Sequence, residues 1–349
     1  MNGKVFDVSH DELRNIKRVL NLNYKISALY SKLLNECPRA ITPELMSSLC
    51  DDGTDKETAY LSVLSYMFDI DEENENDKYF TRKYLVPSIK QASVSDYLDC
   101  EYRKLLGGMV ASFGEWRIGE DKYAAYEAFP CGEGAFLYDF TQYPQIAFFD
   151  TEFSFPTVSQ GGVEWMSLKP NEIETMREPI ENASGNVLVF GLGLGYYTYC
   201  VSEKENVRSV TVVEKDENII SLFKEKILPF FKNREKIRIV RSDAFLYMRE
   251  KMNKSNADFV FTDIWHDTSD GLELYLRAKK YENMLNGARF EYWIERSILA
   301  RLRAMVFEEY FREEANILTG LPNVYGIEGL TSMLSDASLR ELSKRIALK

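Results

Sequence analysis

Histidine is scarce in this chain of 349 residues, which contains only His10 and His266. A site built from several histidines is therefore excluded, and we predict no metal site. The five cysteines lie far apart and form no CxxC pair, so neither a zinc cage nor a disulfide framework is indicated. We interpret them as reduced, mostly buried apolar residues of a cytoplasmic protein.

Long apolar runs are also missing. The longest apolar stretch, residues 187–201, is interrupted by three glycines, and it falls short of the roughly 18 residues that a membrane span needs. The N-terminus has no apolar segment behind a basic start, so no signal peptide is predicted. We therefore expect no membrane partner.

Basic residues are fewer than acidic ones. The chain has 43 Lys and Arg residues and 55 Asp and Glu residues, which gives a net charge of -12. A surface of this kind repels phosphate backbones, which disfavours a nucleic-acid partner. The content of 45% hydrophobic and 28% charged residues is typical of a globular chain. Its length exceeds what one hydrophobic core usually serves, so more than one domain is expected.

The pattern of apolar, aromatic and polar residues along the chain predicts three consecutive segments. Residues 1–115 carry apolar side chains at helical spacing and are predicted to be a helical region. Residues 116–170 alternate aromatic with small or polar residues between glycines and prolines, which indicates a β-rich connector. Residues 171–349 are predicted to form an α/β domain with C-terminal helices, the last over Leu330 to Leu348.

Four short apolar runs within the third segment alternate with helix-length connectors. They are VLVF (187–190), VTVV (210–213), IRIV (237–240) and DFVFT (258–262), and residues 290–294 form a candidate fifth strand. Continuous apolar strands separated by helices are typical of a parallel sheet covered by crossover helices. The predicted fold class is therefore α/β, with a doubly wound, mostly parallel, Rossmann-like sheet.

A glycine-rich turn follows the first of these strands, with Gly191, Gly193 and Gly195 just before a helix. Ligands of open parallel sheets bind beyond the carboxyl ends of the strands. Glycine lets the backbone approach a ligand closely, and a helix start offers free N–H groups to an anion. The dinucleotide fingerprint GxGxxG would need a glycine where Tyr196 stands. The pattern present, GxGxG, favours a ligand without a pyrophosphate.

An acidic residue follows each of the next three strands. Glu214 stands about twenty residues after the glycines, where a carboxylate accepts the hydroxyl groups of a ribose. Asp243 follows the third strand and suits an adenine amino group, and Asp263 ends the fourth. Each acid alone is more often a helix cap or a surface charge. Three acids at the ends of successive strands of one sheet indicate one shared ligand.

Residues 185 to about 295 resemble the class I S-adenosylmethionine-dependent methyltransferases. VLVFGLGLG matches the glycine motif, VTVVEKD the ribose-binding acid, SDAF the adenine motif and DFVFTDIW the strand beside the reacting group. The resemblance implies S-adenosylmethionine as cofactor and methyl transfer to a small-molecule or protein acceptor. It also implies these contacts: Gly191, Gly193 and Gly195 near the methionine end, Glu214 on the ribose, Asp243 with Ala244 on adenine, and Asp263 with Trp265 near the sulfonium.

The same segment is similar in layout to the spermidine synthases. Asp263, Asp267 and Asp270 precede a helix with Leu274 and Tyr275, as the aspartate segment of those enzymes does, although their acidic glycine motif is GLGLGYY here. This similarity implies a second hypothesis, aminopropyl transfer from the decarboxylated cofactor to a polyamine. A third hypothesis is a cofactor-binding protein without catalysis, which docks a partner through its helical N-terminal region.

Three residues are candidates for the chemistry itself. His266 is interpreted either as a general base for the acceptor or as a polar loop residue at a strand end. Asp263 and Asp267 either hold an amine acceptor as a cation or cap the helix that begins near Ser269. Trp165 and the preceding residues 160–162 are close enough in sequence to the sheet to fold over the cleft.

Overall fold

A computed structural model describes residues 10–98, 100–137 and 139–313. The helix predicted over Leu330 to Leu348 lies outside the described residues. The described chain divides into two compact units. The first unit comprises residues up to 91, residues 125–150 and residues from 296, and the second comprises residues 92–124 and 151–295. The predicted division into three consecutive segments stays a prediction.

Helices and strands are numbered in chain order. The helices are α1 His10–Glu36, α2 Pro43–Cys50, α3 Lys56–Met67, α4 Glu75–Phe80, α5 Ser95–Leu98, α6 Glu101–Leu106, α7 Pro170–Asn182, α8 Tyr196–Ser202, α9 Glu217–Leu222, α10 Ala244–Glu250, α11 Thr268–Lys279 and α12 Glu295–Glu313. The strands are β1 Ile89–Gln91, β2 Ala111–Phe113, β3 Trp116–Tyr123, β4 Phe129–Pro130, β5 Ala135–Phe136, β6 Gln142–Tyr143, β7 Ile146–Phe148, β8 Phe153–Gln160, β9 Val163–Ser167, β10 Gly185–Phe190, β11 Val207–Glu214, β12 Ile237–Arg241, β13 Phe259–Thr262 and β14 Arg289–Tyr292.

The first unit is built from α1 to α4 and two small sheets, β1-β7-β4 and β5-β6. Its helices begin where the sequence supplies caps, because the side chains of Thr42 and Asp55 accept backbone N–H groups of α2 and α3. One apolar stripe of α1 faces the core, and Tyr60 of α3 stacks on Phe148 of β7 with ring centroids 4.0 Å apart. These contacts give the unit its own hydrophobic core.

The second unit contains a four-stranded antiparallel sheet in the order β2-β3-β8-β9. Gly161 and Gly162 connect β8 to β9, with φ angles of +59° and +87°. Positive φ at both central residues is typical of tight hairpin turns. The hairpin fixes the position of β9, which carries Trp165 and Met166.

A five-stranded sheet in the order β12-β11-β10-β13-β14 forms the rest of the second unit, and all of its pairings are parallel. The α/β class and the parallel sheet are therefore confirmed, and β14 is the fifth strand. The chain enters at the central strand β10 and the strand order reverses between β10 and β13. This reversal is the place where open sheets bind ligands.

The central strands are apolar because they are covered on both faces. Every residue of β13 is buried, and so are all but one of the residues of β10. In the described part of the chain, no helix combines the length and the apolar character that crossing a membrane requires.

Candidate functional site

A cavity of about 490 Å³ lies at the carboxyl ends of the parallel strands. Its walls include the residues that follow β10, β11, β12 and β13, and its volume is in the range of small-molecule and cofactor sites. Of the residues that the sequence predicted to bind cofactor, those that line the cavity are Gly191, Gly193, Glu214, Asp243, Ala244, Asp263 and Trp265. Gly195 is not part of the wall and precedes α8 as its N-cap.

The turn after β10 can only be formed by glycine at its first position. Gly191 has a φ of +97°, and a Cβ there would overlap the carbonyl oxygen of Asp263 and lie 2.9 Å from its carbonyl carbon. Two strand ends therefore touch through backbone atoms. Gly195 has a φ of +84°, and a Cβ there would lie 3.0 Å or less from ring atoms of Phe223. The glycines thus serve both the turn and the close packing behind it.

The carboxylate of Glu214 is held in place by backbone amides. Its Oε2 accepts a hydrogen bond from Leu192 N at 3.1 Å, and its Oε1 accepts from Lys215 N at 2.7 Å and Asp216 N at 2.9 Å. The acid is thus tied to the glycine turn of the neighbouring strand. Such a preorganised carboxylate on a cavity wall can accept further hydrogen bonds from a ligand.

Asp243 has two roles in the structure. It is the N-cap of α10, where its Oδ1 accepts a hydrogen bond from Leu246 N at 2.9 Å, and it also lines the cavity beside Ala244 and Phe245. The guanidinium carbon of Arg277, on α11, lies 3.8 Å from the centroid of the Phe245 ring. This end of the cavity combines a carboxylate with a stacked aromatic and cationic pair.

Asp263 is half-buried and faces other acids. Burial raises the pKa of its carboxyl well above its usual range, and repulsion from Glu172 and Glu214 adds to this effect. Glu172, in the first turn of α7, has its pKa raised to about 7 because its own burial outweighs the attraction of Lys169. Among the described residues, no group of His, Cys, Asp and Glu side chains is arranged to hold a metal ion. The acids instead form a region that favours protons or bound cations.

Trp265, which the resemblance predicts to lie near the sulfonium, lines the cavity. It is 5% exposed, its ring stacks on Tyr292, and its indole N–H has no hydrogen-bond partner among the described residues. A buried donor without an acceptor is unfavourable. The indole N–H of Trp265 is therefore available to donate a hydrogen bond to a ligand.

His266 and Asp267 are not part of the cavity wall. Asp267 is the N-cap of α11 and forms a capping box with Asp270, as the second interpretation of this residue expected. The His266 side chain is 55% exposed, with Nδ1 3.8 Å from Asp267 Oδ2 and its ring edge-on to Trp165 at 6.1 Å. Their catalytic roles stay predictions.

The antiparallel sheet contributes residues to the cavity that no motif marked. Trp116, Gln160, Trp165 and Met166 all line it. For Trp165 and Gln160 this agrees with the expectation that their segment folds over the cleft. Trp116 donates from Nε1 to Asp216 Oδ2 at 3.1 Å, which links this sheet to the segment after β11. Trp116 and Met166 belong to aromatic and apolar segments whose pattern predicts ordinary core strands, so the sequence gives no signal of their place in the cavity wall.

Comparisons with known proteins show a likeness to solved structures but not to a known family. No protein-family model matches the sequence, and no curated protein matches it. Among solved structures, the chain is similar to a spermidine synthase from Thermotoga maritima, with a TM-score of 0.32 and 13% sequence identity. The match covers 44% of this chain and 59% of that chain, which is less than two thirds of its length.

Proposed function

We propose that this chain is a transferase that binds an adenosyl sulfonium at the carboxyl edge of its parallel sheet. The supporting observation is that Gly191, Glu214, Asp243 and Asp263 stand at the carboxyl ends of four different strands and line one cavity. Each of these residues has a local structural role, but local roles do not require a common cavity. A nucleoside ligand accounts for both their residue types and their order along the chain.

The residues present fit such a ligand from end to end. Asp243 and the backbone of Ala244 would hold the adenine, and Glu214 would hold the ribose hydroxyls. When bound, the sulfonium supplies an electrophilic carbon for attack by a nucleophile. Asp263 stabilises a neighbouring positive charge, and the faces of Trp116 and Trp165 can do the same. Alignment of the two reactants by the cavity then supplies much of the rate.

Two transferred groups are candidates. Methyl transfer from S-adenosylmethionine to a small-molecule or protein acceptor is the first. Aminopropyl transfer from the decarboxylated cofactor to a polyamine is the second, and one observation favours it. Glu172 and Glu214 both repel the carboxylate of Asp263, and an amine cation bound beside Asp263 would relieve that repulsion.

Replacing Glu214 with glutamine tests the proposal. The amide keeps the size of the side chain but loses the charge that strengthens hydrogen bonds to ribose hydroxyls. We expect the affinity for adenosine thioethers, measured by titration calorimetry, to fall about tenfold, or 1.4 kcal/mol. The matched control is Glu217→Gln, because Glu217 has a 65% exposed side chain and is not part of the cavity wall.

Three outcomes would separate the hypotheses. Equal affinities of wild type and Glu214→Gln would contradict the ribose assignment. Tight binding of NADH in place of adenosine thioethers would overturn the proposed ligand class. Binding without turnover across panels of amines and small molecules would favour a cofactor-binding protein without catalysis.

A further inference from the structure

Met166 of β9 lies directly against the glycine turn. Its Sδ accepts a hydrogen bond from Leu194 N at 2.9 Å. A Cβ on Gly193 would lie 2.6 Å from the terminal methyl carbon of Met166, so that the thioether occupies the space over this glycine. The same side chain lines the cavity beside Gly191, Leu192 and Gly193. No feature of the sequence marks this contact.

The contact occupies one of the backbone donors of the glycine turn. The amides of the glycine turn are mostly bonded within the chain: Gly191 N to Val213 O, Leu192 N to Glu214 Oε2, Leu194 N to Met166 Sδ and Gly195 N to Leu192 O. Of the five amides from 191 to 195, only that of Gly193 has no partner among the described residues. A carboxylate bound at this turn would need several such donors for its two oxygens.

The charges around the turn also disfavour a ligand carboxylate. The carboxylate of Glu214 accepts a hydrogen bond from Leu192 of the turn, and Asp263 lines the same cavity as Gly191 and Gly193. A ligand carboxylate placed here would meet these acids with only the Gly193 amide to offset the repulsion. A ligand end that is neutral or cationic meets no such penalty.

We propose that Met166 is a specificity-determining residue that closes the glycine turn to a ligand carboxylate. The site then selects adenosine thioethers and sulfoniums whose side chain carries no carboxylate. This inference rests on the proposed function and deepens it, since such selection favours the decarboxylated donor over S-adenosylmethionine itself.

The test compares two stable thioethers, methylthioadenosine and S-adenosylhomocysteine, of which only the second carries an amino-acid carboxylate. By titration calorimetry, we expect the wild-type protein to bind methylthioadenosine about tenfold or more tightly than S-adenosylhomocysteine. Met166→Ala frees the Leu194 amide and the space over Gly193. We expect this variant to lower the preference by about tenfold, mainly through tighter binding of S-adenosylhomocysteine.

Two further variants separate specificity from general damage. Met166→Leu fills the same space without the sulfur acceptor, and we expect it to retain the preference in part. Met284→Ala removes a methionine that is not part of the cavity wall, and we expect it to leave the ratio of affinities unchanged.

The ratio of affinities is the decisive readout because loss of structure would lower both affinities together. A wild-type preference for S-adenosylhomocysteine, or a ratio that Met166→Ala does not change, would overturn the role of Met166 and leave the proposed function standing. Failure of the wild-type protein to bind either thioether would overturn the proposed function, and the inference with it.

Discussion

Replacing Gly191 with alanine is expected to lower the free energy of unfolding of the second unit by about 3–5 kcal/mol. Two effects combine at this position. The φ of +97° disfavours any L-residue, and the new Cβ would overlap the carbonyl oxygen of Asp263. Backbone atoms cannot rotate away as a flexible side chain can, so the ends of β10 and β13 would have to separate.

Gly162 provides a matched control within the same unit. Its φ of +87° is close to that of Gly191, but a Cβ there would meet nothing within 4 Å. Gly162→Ala should therefore show only the conformational cost, about 1–2 kcal/mol. The difference between the two variants isolates the cost of the close approach between the strand ends.

Tryptophan fluorescence during denaturant unfolding measures this difference selectively. The chain has four tryptophans, and all of them lie in the second unit: Trp116, Trp165, Trp265 and Trp293. The signal therefore follows the unit that contains both substitutions. Equal losses in Gly191→Ala and Gly162→Ala would contradict the contact between Gly191 and Asp263, and with it the geometry of the cavity.

The parallel sheet could be predicted because burial on both faces leaves a clear signal in sequence. A strand covered on both sides is a short continuous apolar run, and residues 187–190, 210–213 and 258–262 all have this form. The glycines between the first run and the next helix then place a turn at the carboxyl end. Strand order and cavity position follow from general rules for such sheets.

The contribution of the antiparallel sheet could not be predicted in the same way. Trp116 and Met166 are separated from the glycine turn by a helix or more of sequence, and their alternation with small residues is that of any half-buried strand. Their position depends on how the antiparallel sheet β2-β3-β8-β9 packs within the unit. No periodic pattern encodes that packing, so a residue such as Met166 is recognised only from its contacts.

Acidic residues were ambiguous in sequence because one residue can serve two purposes. Asp243 caps α10 and lines the cavity, whereas Asp267 caps α11 and is not part of the cavity wall. Both follow a strand and precede a helix, so the local pattern is the same. For Glu172 the sequence contains no sign of a role in the site. It stands in the first turn of a helix, and yet its charge helps to raise the pKa of Asp263.

The raised pKa values of Glu172 and Asp263 predict an unusual dependence of stability on pH. The pKa of Glu172 is raised from 4.5 to about 7 by burial, so that the folded protein retains a proton that the unfolded chain has lost. Between these two values the folded state binds more protons than the unfolded state. The free energy of unfolding therefore falls as pH rises from 4.5 to about 7, by about 3 kcal/mol from this group. The raised pKa of Asp263 acts in the same direction.

Glu172→Gln should remove the part of this loss that comes from Glu172, because a neutral side chain has no proton to release. Relative to wild type, the variant is expected to gain about 3 kcal/mol in free energy of unfolding between pH 4.5 and pH 8, measured by the fluorescence of the four tryptophans.

Glu217→Gln, which removes an exposed acid, should follow the wild-type profile. Profiles of wild type and Glu172→Gln that run parallel would show that Glu172 ionises as an ordinary surface acid. A gain confined to Glu172→Gln would show that burial disfavours the negative charge of Glu172, and the same charge repels the carboxylate of Asp263 on the cavity wall.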